Sequence, residues 1–257
     1  MSNGPDRIVD DFEDLRDSNG KFRPEVKSDL RGASLIETPK IIRQASGILI
    51  QGRRIKSFLF STDVAIINYS DADAILAIYP GSPHPAIIHA ITVVASQPVI
   101  AGVGGGLTSG KRSVNVATFA EAHGVLGVVV NSPASLETIQ LLNETIDCPI
   151  IGTVVSYYDE IEAKMKLGVD ILNVAAGKET ANLVRWIRER YPQVPIIATG
   201  GSSEESIKET IDAGANAISW TPPTNAELFR EKMEKYRAVK RHDFMESHDG
   251  MTMNEYE

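Results

Sequence analysis

Three segments of the chain open alike. QPVI, CPII and VPII place Pro98, Pro149 and Pro195 at the head of apolar runs rich in Val and Ile. Proline is tolerated at the first residue of a strand, where the ladder does not yet need its N–H. After each comes a helix-like segment that ends in glycine and leads to another apolar run: AHGVLGV, KLGVDIL and AGANAI, with Gly124, Gly168 and Gly214. Glycine there suits the left-handed position just past a helix end. DADAIL, earlier in the chain, is related but lacks the glycine. The unit is a two-strand module used about four times.

Eight apolar runs follow one another from Ile55: IKSFLFS, AILAIYP, PVIAGVG, VLGVVVN, PIIGTVVS, DILNVAAG, PIIATGG and NAISWTP. None alternates strictly, as expected of strands buried on both faces. Helical spacing lies between them, as in Leu136, Ile139 and Leu142, or Leu183, Trp186 and Ile187. Strand and helix in alternation imply right-handed crossovers and a parallel sheet. Eight strands close a (β/α)8 TIM barrel. An open doubly wound sheet is the alternative, but it needs a switch point and usually less uniform units.

The barrel is assigned to 34–238 as a single domain. Residues 1–33 are polar and charge-mixed and read as an N-terminal extension, and 239–257 as a flexible acidic C-terminal tail or subunit contact. Thr38-Pro39 predicts an N-cap and first helical residue for a short helix through Ser46. GILIQG forms a small hairpin or leads directly into the main fold. The net charge of −8 argues against a general affinity for nucleic acid or anionic membrane. Cys148 is the sole cysteine, so no internal disulfide forms. There is no apolar signal core and no run near the ~20 residues of a membrane span. A cytoplasmic protein, with a homo-oligomer left open, is the expectation.

VIAGVGGGLTSGKRSVN, from Val99 to Asn115, resembles a nucleotide-binding P-loop. Gly105, Gly110 and Lys111 match the G-x-x-x-x-G-K spacing, but Arg112 stands where the magnesium-holding hydroxyl belongs and Ser113 is one place late. In a barrel this is the loop after the third strand, on the face where active sites are built. Gly104, Gly105 and Gly106 would let backbone approach a ligand. Lys111 would sit at a helix start, where free N–H groups favour an anion.

Gly200, Gly201 and Ser202 follow the seventh strand and precede a helix at once, a ready phosphate cradle. The segment from Ser219 to Thr224 follows the eighth strand and ends in a helix that Thr224 can cap. Loops after strands seven and eight form the recurrent phosphate site of TIM barrels. Residues 195–221, with their P-I-I-A-x-G-G … G-A-x-A-I pattern, resemble the last third of ribulose-phosphate-binding and FMN-binding barrels. Residues 40–237 resemble an uncharacterised bacterial family of aldolase-type barrels often labelled only "hydrolase". The resemblance implies a phosphate site at Gly200, Gly201 and Ser202, and FMN is the one cofactor it brings in. The glycine-rich turn usual after the eighth strand is replaced by Trp220-Thr221-Pro222-Pro223.

Three residues at strand ends are acid–base candidates. Asp63 follows the first strand and could be a general base, though capping of the next helix is the reading favoured for it. His84 lies in the proline-stiffened loop YPGSPHP. Lys178 follows the sixth strand, where aldolases of this architecture often keep a Schiff-base lysine within the strand; beyond Gly177 it reads better as an anion clamp. Asn131, Asn173 and Thr221 are ligand-binding candidates. Metal-ligating clusters are not expected. The leading reading is an enzyme acting on a small phosphorylated or anionic metabolite by lyase, isomerase or hydrolase chemistry. A non-catalytic metabolite-sensing barrel and an FMN-binding protein are the alternatives.

Overall fold

Eight parallel strands close into a barrel in chain order. They are β3 (Ser57–Phe60), β4 (Ala74–Ala77), β5 (Val99–Gly104), β6 (Gly127–Val130), β7 (Ile150–Val154), β8 (Ile171–Val174), β9 (Ile196–Thr199) and β10 (Ala217–Trp220). β10 closes the ring on β3, with Ile218 opposite Ser57 and Trp220 opposite Leu59. The structure is a computed structural model, and it describes residues 20–22, 24 and 35–256. With no free edge in the sheet, the doubly wound alternative is excluded. The strands lack alternation because both faces are covered: β4, β6, β7 and β8 are buried at every position.

Ahead of the barrel, β1 (Ile48–Ile50) and β2 (Arg53–Ile55) form an antiparallel hairpin. Ile55, read from sequence as the start of the first barrel strand, therefore belongs to the hairpin, and the barrel begins at Ser57. Gly47 N–H donates to the carbonyl of Asn216, just before β10, so the hairpin lies at the barrel's N-terminal end. Ile48, Ile50 and Ile55 join the interior cluster of Phe58, Leu76, Val129, Ile151, Ile171, Ile197 and Ala217.

Helices fill the crossovers: α1 (Val64–Asn68), α2 (Pro85–Val94), α3 (Lys111–Ala122), α4 (Leu136–Asn143), α5 (Ile161–Lys166), α6 (Thr180–Arg190) and α7 (Glu204–Asp212). Gly124, Gly168 and Gly214 adopt positive φ just past α3, α5 and α7, as their sequence positions predict. The helix expected after Thr38 is a short 3-10 turn, Lys40–Gln44, with Pro39 at its N-cap and no side-chain cap. Thr38 instead donates its N–H to Asp71 Oδ1. This segment packs on α7, and Ile36 hydrogen-bonds with Tyr69 and Asp71 beyond α1, so residues 36–44 bridge the outer layer between those helices.

The last long helix, α8 (Asn225–Ser247), starts at a Thr224/Glu227 capping box and has no buried residue. It runs through the boundary expected at 238, and α9 (Met253–Tyr256) follows it. Within the tail Phe244 stacks on His248, and Tyr256 meets both rings edge-on. The chain divides by contact into Met1–Leu35 and Ile36–Glu257. The expected extension 1–33 lies almost wholly outside the described residues. Among those residues no helix is long and apolar enough to cross a membrane.

Candidate functional site

Side chains along a strand alternate between the barrel interior and the helix layer. Val129, Ile151, Ile171, Ile197 and Ala217 belong to the interior cluster. Two places on, the same face carries Asn131, Thr153, Asn173, Thr199 and Ser219. On these five strands the interior is thus apolar at its N-terminal end and neutral-polar at its C-terminal mouth, whereas β3 and β4 carry Phe60 and Ile78 there. This change from aliphatic to amide and hydroxyl side chains occurs on five consecutive strands.

Asn173 is the deepest of these groups, 4% exposed. Its Nδ2 donates to Thr153 Oγ1 at 3.3 Å, and its Oδ1 is buried with no hydrogen-bond partner. Turning the amide over exchanges the two atoms but still leaves one without a partner. An unpaired buried polar group costs about 1–3 kcal/mol. A ligand with a complementary donor or acceptor removes that cost.

Beside the mouth lies a charged pair that no sequence pattern announced. Lys164 Nζ, on α5, meets Asp159 Oδ1 at 2.6 Å, with both side chains under a tenth exposed. Lys164 also donates to the carbonyl of Thr153 at 3.1 Å, just beyond the last β6–β7 register pair, Val130 with Gly152. Ser132 Oγ donates to Asp159 Oδ1, while the N–H groups of Val155 and Ser156 donate to Oδ2. Burial pushes the Asp159 carboxyl up, but the Lys164 hydrogen bond, the Val155 amide and the lysine charge together hold it below the usual carboxylate range. The pair ties the loops after β6 and β7 together.

The glycine loop serves its own packing. A side chain on Gly104 would collide with Ser113 Oγ and the Thr108 carbonyl. One on Gly105 would come within 2.6 Å of Asn131 Cβ. Asn131 N–H donates to the Gly104 carbonyl, so these three candidates do meet. Packing within the loop therefore requires glycine at 104 and 105, and of the three only Gly106 has open space where a Cβ would stand. Ser113 Oγ donates to the Thr108 carbonyl, which removes the hydroxyl a P-loop would need. Lys111 is exposed at the first turn of α3.

At the other expected cradle, Gly200 packs against Ile207 and Ile218, and Gly201, at φ 77°, approaches Ser206 Oγ. The start of α7 is already capped: Ser203 and Ser206 exchange a capping box. The Glu205 carboxylate accepts from its own N–H and the Ser203 hydroxyl, which holds its pKa down. A carboxylate therefore competes for the α7 terminus. Ser202 and Thr221 are exposed.

The acid–base candidates stay apart. Asp63 caps α1 by accepting from Ala65 and Ile66 N–H, and its Oδ2 accepts from Asn225 Nδ2 at 2.5 Å. His84 caps α2, its Nδ1 accepting from Ala86 N–H at 3.1 Å, and its own N–H donates to Tyr79 Oη. Burial raises the Tyr79 pKa, an effect the His84 bond opposes. Lys178 is exposed in the 3-10 turn Gly177–Glu179. No hydrogen bond or ion pair joins Asp63, His84 and Lys178. Thr153, Thr199, Asp159 and Lys164 were missed by sequence reasoning. Their only sequence signal is position, two residues past an interior aliphatic for the threonines.

No family model matches the chain, and no curated protein matches it in sequence. Solved structures do. A phosphonopyruvate hydrolase aligns at TM-score 0.56 with 13% identity, over 79% of this chain and 85% of that one. A phosphoenolpyruvate phosphomutase from Streptomyces platensis subsp. rosaceus aligns at TM-score 0.53 with 12% identity, over 77% and 84%. A dihydrodipicolinate synthase from Aquifex aeolicus aligns at 0.51 with 19% identity, over 72% and 70%. At these identities the likeness is one of fold.

Proposed function

We propose that the protein is an enzyme that binds a small phosphorylated or carboxylate-bearing metabolite at the C-terminal mouth of its barrel. The observation that carries this is the buried Asn173 amide with an unpaired atom, set in an arc of neutral hydrogen-bonding groups from β6 to β10 above an apolar floor. Fold alone does not assign a reaction. The fold neighbours named for phosphonopyruvate, phosphoenolpyruvate and dihydrodipicolinate chemistry support the choice of ligand class as an analogy. Asn131, Thr153, Asn173, Thr199 and Ser219 hold the neutral part of the ligand. The free amides of Gly201 and Ser202, with Lys111 and Lys178 at the rim, take its anionic end. Asp63 and His84 are assigned to capping first and to proton transfer only through rearrangement.

A phosphonopyruvate hydrolase of this fold is known with oxalate and Mg2+. Among the described residues no three His, Cys, Asp or Glu side chains converge on a metal position, and both Asp159 oxygens are filled. The donor set fits an organic anion better than a bare divalent cation. FMN fits less well, since Pro222 and Pro223 withhold two amide donors from the loop after β10.

Thermal shift of the full chain with phosphonopyruvate, oxalate, sugar phosphates, inorganic phosphate and FMN tests the proposal. A ligand at 100 times its Kd adds about 2.7 kcal/mol of apparent stability, or roughly 5–10 °C for a domain of this size. Asn173→Leu should keep the fold and lose that shift. Stabilisation by none of these compounds, or equally in both proteins, refutes the site. Turnover of the stabilising compound separates an enzyme from a metabolite sensor.

A further inference from the structure

The mouth of the barrel is divided. The polar arc spans β6 to β10, and the three strands that complete the ring differ from it. β3 carries Phe60 two residues past the interior Phe58, and Phe60 pairs in register with Leu76, itself an interior residue. β4 carries Ile78, which packs against the interior cluster. β5 carries Gly102 two places past the interior Ile100, so no side chain stands there. These three strands are neighbours, and their apolar positions form one continuous arc. In a closed ring of eight, β3 lies across from β7 and β4 across from β8. Phe60 and Ile78 therefore stand across the mouth from Thr153 and Asn173. Phe60 is 37% exposed although its face of the strand is interior. Its ring has surface left for another flat group.

Asn173 decides what the polar side recognises. An amide sets an acceptor beside a donor. Its Nδ2 uses one hydrogen on Thr153 Oγ1, and its Oδ1 has no partner. With the amide turned over, Oδ1 accepts from the Thr153 hydroxyl with one lone pair and Nδ2 keeps both hydrogens. Either way one donor and one acceptor stay available side by side. That pair matches the edge of a nitrogen heterocycle, as when Asn meets the edge of adenine with two hydrogen bonds. An ionised carboxylate offers acceptors only and leaves Oδ1 unpaired. Among the described residues, no interior position at the mouth carries a charge. An anion at this depth would lose its water without gaining a cation, so the charge of the ligand belongs at the rim.

We propose that the ligand is an anionic nitrogen heterocycle. Its donor–acceptor edge meets Asn173, its ring lies against Phe60 and Ile78, and its carboxylate or phosphate stays at the rim. This rests on the reading of the mouth as the binding site, and it narrows the ligand from any small anion to a flat ring. A rigid ring that crosses the mouth touches both arcs at once. An open-chain acid of the size of oxalate meets one arc and leaves the other without contact. Phe60 is then the residue that sets specificity for the ring, and Asn173 the one that sets it for the edge.

Titration calorimetry on the full chain tests this with the pyridone acid 6-hydroxynicotinate, its methoxy ether, benzoate, oxalate and phosphonopyruvate. The pyridone acid has the ring, the N–H beside a carbonyl and the anion; the ether lacks the N–H, benzoate the whole edge, and the last two the ring. The pyridone acid should bind tightest. Phe60→Ala, a change at a partly exposed side chain, should weaken it roughly tenfold with an unchanged circular dichroism spectrum. Asn173→Leu should abolish its advantage over benzoate. The ether gives the same test of the edge without altering the protein. Equal affinity for the pyridone acid and its ether overturns the proposal, as does full affinity in Phe60→Ala. Binding of oxalate or phosphonopyruvate without the pyridone acid overturns the heterocycle and leaves the site standing. Binding of none of the five up to millimolar concentration overturns both.

Discussion

Asp159 shows how one residue can be decided entirely by its neighbours. Four donors converge on its carboxylate, and the strongest is a lysine that is itself buried. Removing one partner of a buried pair costs about 3–5 kcal/mol, since the other charge is left behind. Lys164→Met should therefore destabilise the protein by roughly 3 kcal/mol at neutral pH, measured by urea unfolding. The pH dependence has a definite sign. A folded-state pKa below the unfolded value contributes stability above the ordinary carboxylate range, lost as pH falls through the folded pKa. The gap between wild type and Lys164→Met should narrow as pH drops below about 4; a constant gap would mean that the pair contributes through packing alone. Cys148 lies at the opposite pole of reactivity: burial, then the Glu121 charge, pushes its thiol up to about 12, so it is no nucleophile at neutral pH. At this scale the sequence was a partial guide. Asn131 and Asn173 were legible as polar residues near strand ends, whereas Thr153 joins the candidate site only through its contact with Asn173.

Elements are joined by a side chain that sequence reading passed over. The Arg188 guanidinium, at the C-terminal end of α6, donates to the carbonyls of Pro192, Val194 and Gly214 and to Asn216 Oδ1, all within 2.9 Å. Asn216 in turn accepts from Ile196 N–H and donates to Ser46 Oγ. One planar fork thus links α6, the loop before β9, the turn before β10 and the approach to the hairpin. Lysine has the charge but not the fork. Arg188→Lys should cost on the order of 2 kcal/mol and lower Tm by several degrees in calorimetry; an unchanged Tm would show that water replaces these bonds. The strand starts marked by Pro98, Pro149 and Pro195, each one residue ahead of its strand, the glycines past α3, α5 and α7, and the Thr224 cap of α8 were readable because each is set by local backbone chemistry. The 3-10 turn at Lys40–Gln44 was not: its N-cap is Pro39, which has no capping side chain, and Thr38 is instead tied through its N–H to Asp71, distant in sequence.

Over the whole molecule, the barrel is closed below and open above. The β1–β2 hairpin inserts Ile48, Ile50 and Ile55 into the interior cluster at the N-terminal end, and the polar arc of β6–β10 occupies the other end. A cavity left by truncating a buried aliphatic costs about 2–5 kcal/mol. Ile50→Ala should fall in that range by urea unfolding if the hairpin is part of the cooperative core. A loss under about 0.5 kcal/mol would mean that the hairpin opens independently of the barrel.

Eight strands, their parallel sense and their order follow from the sequence by itself, because a repeated strand–helix unit with two-sided burial leaves few ways to close a sheet. The existence of polar groups at the strand ends also follows. Which of them share a site does not. Alternation in or out of a barrel depends on register, and one residue of slip reverses every side chain. The bulge between Gly102 and Gly104 in β5 is such a shift, visible only in three dimensions. Nor does spacing reveal that residues 36–44 pack between α7 and α1 while α8 touches the core only through Leu228 near its start, because those segments are far apart in the chain. Local chemistry determined the elements; long-range packing decided which of them face the same space.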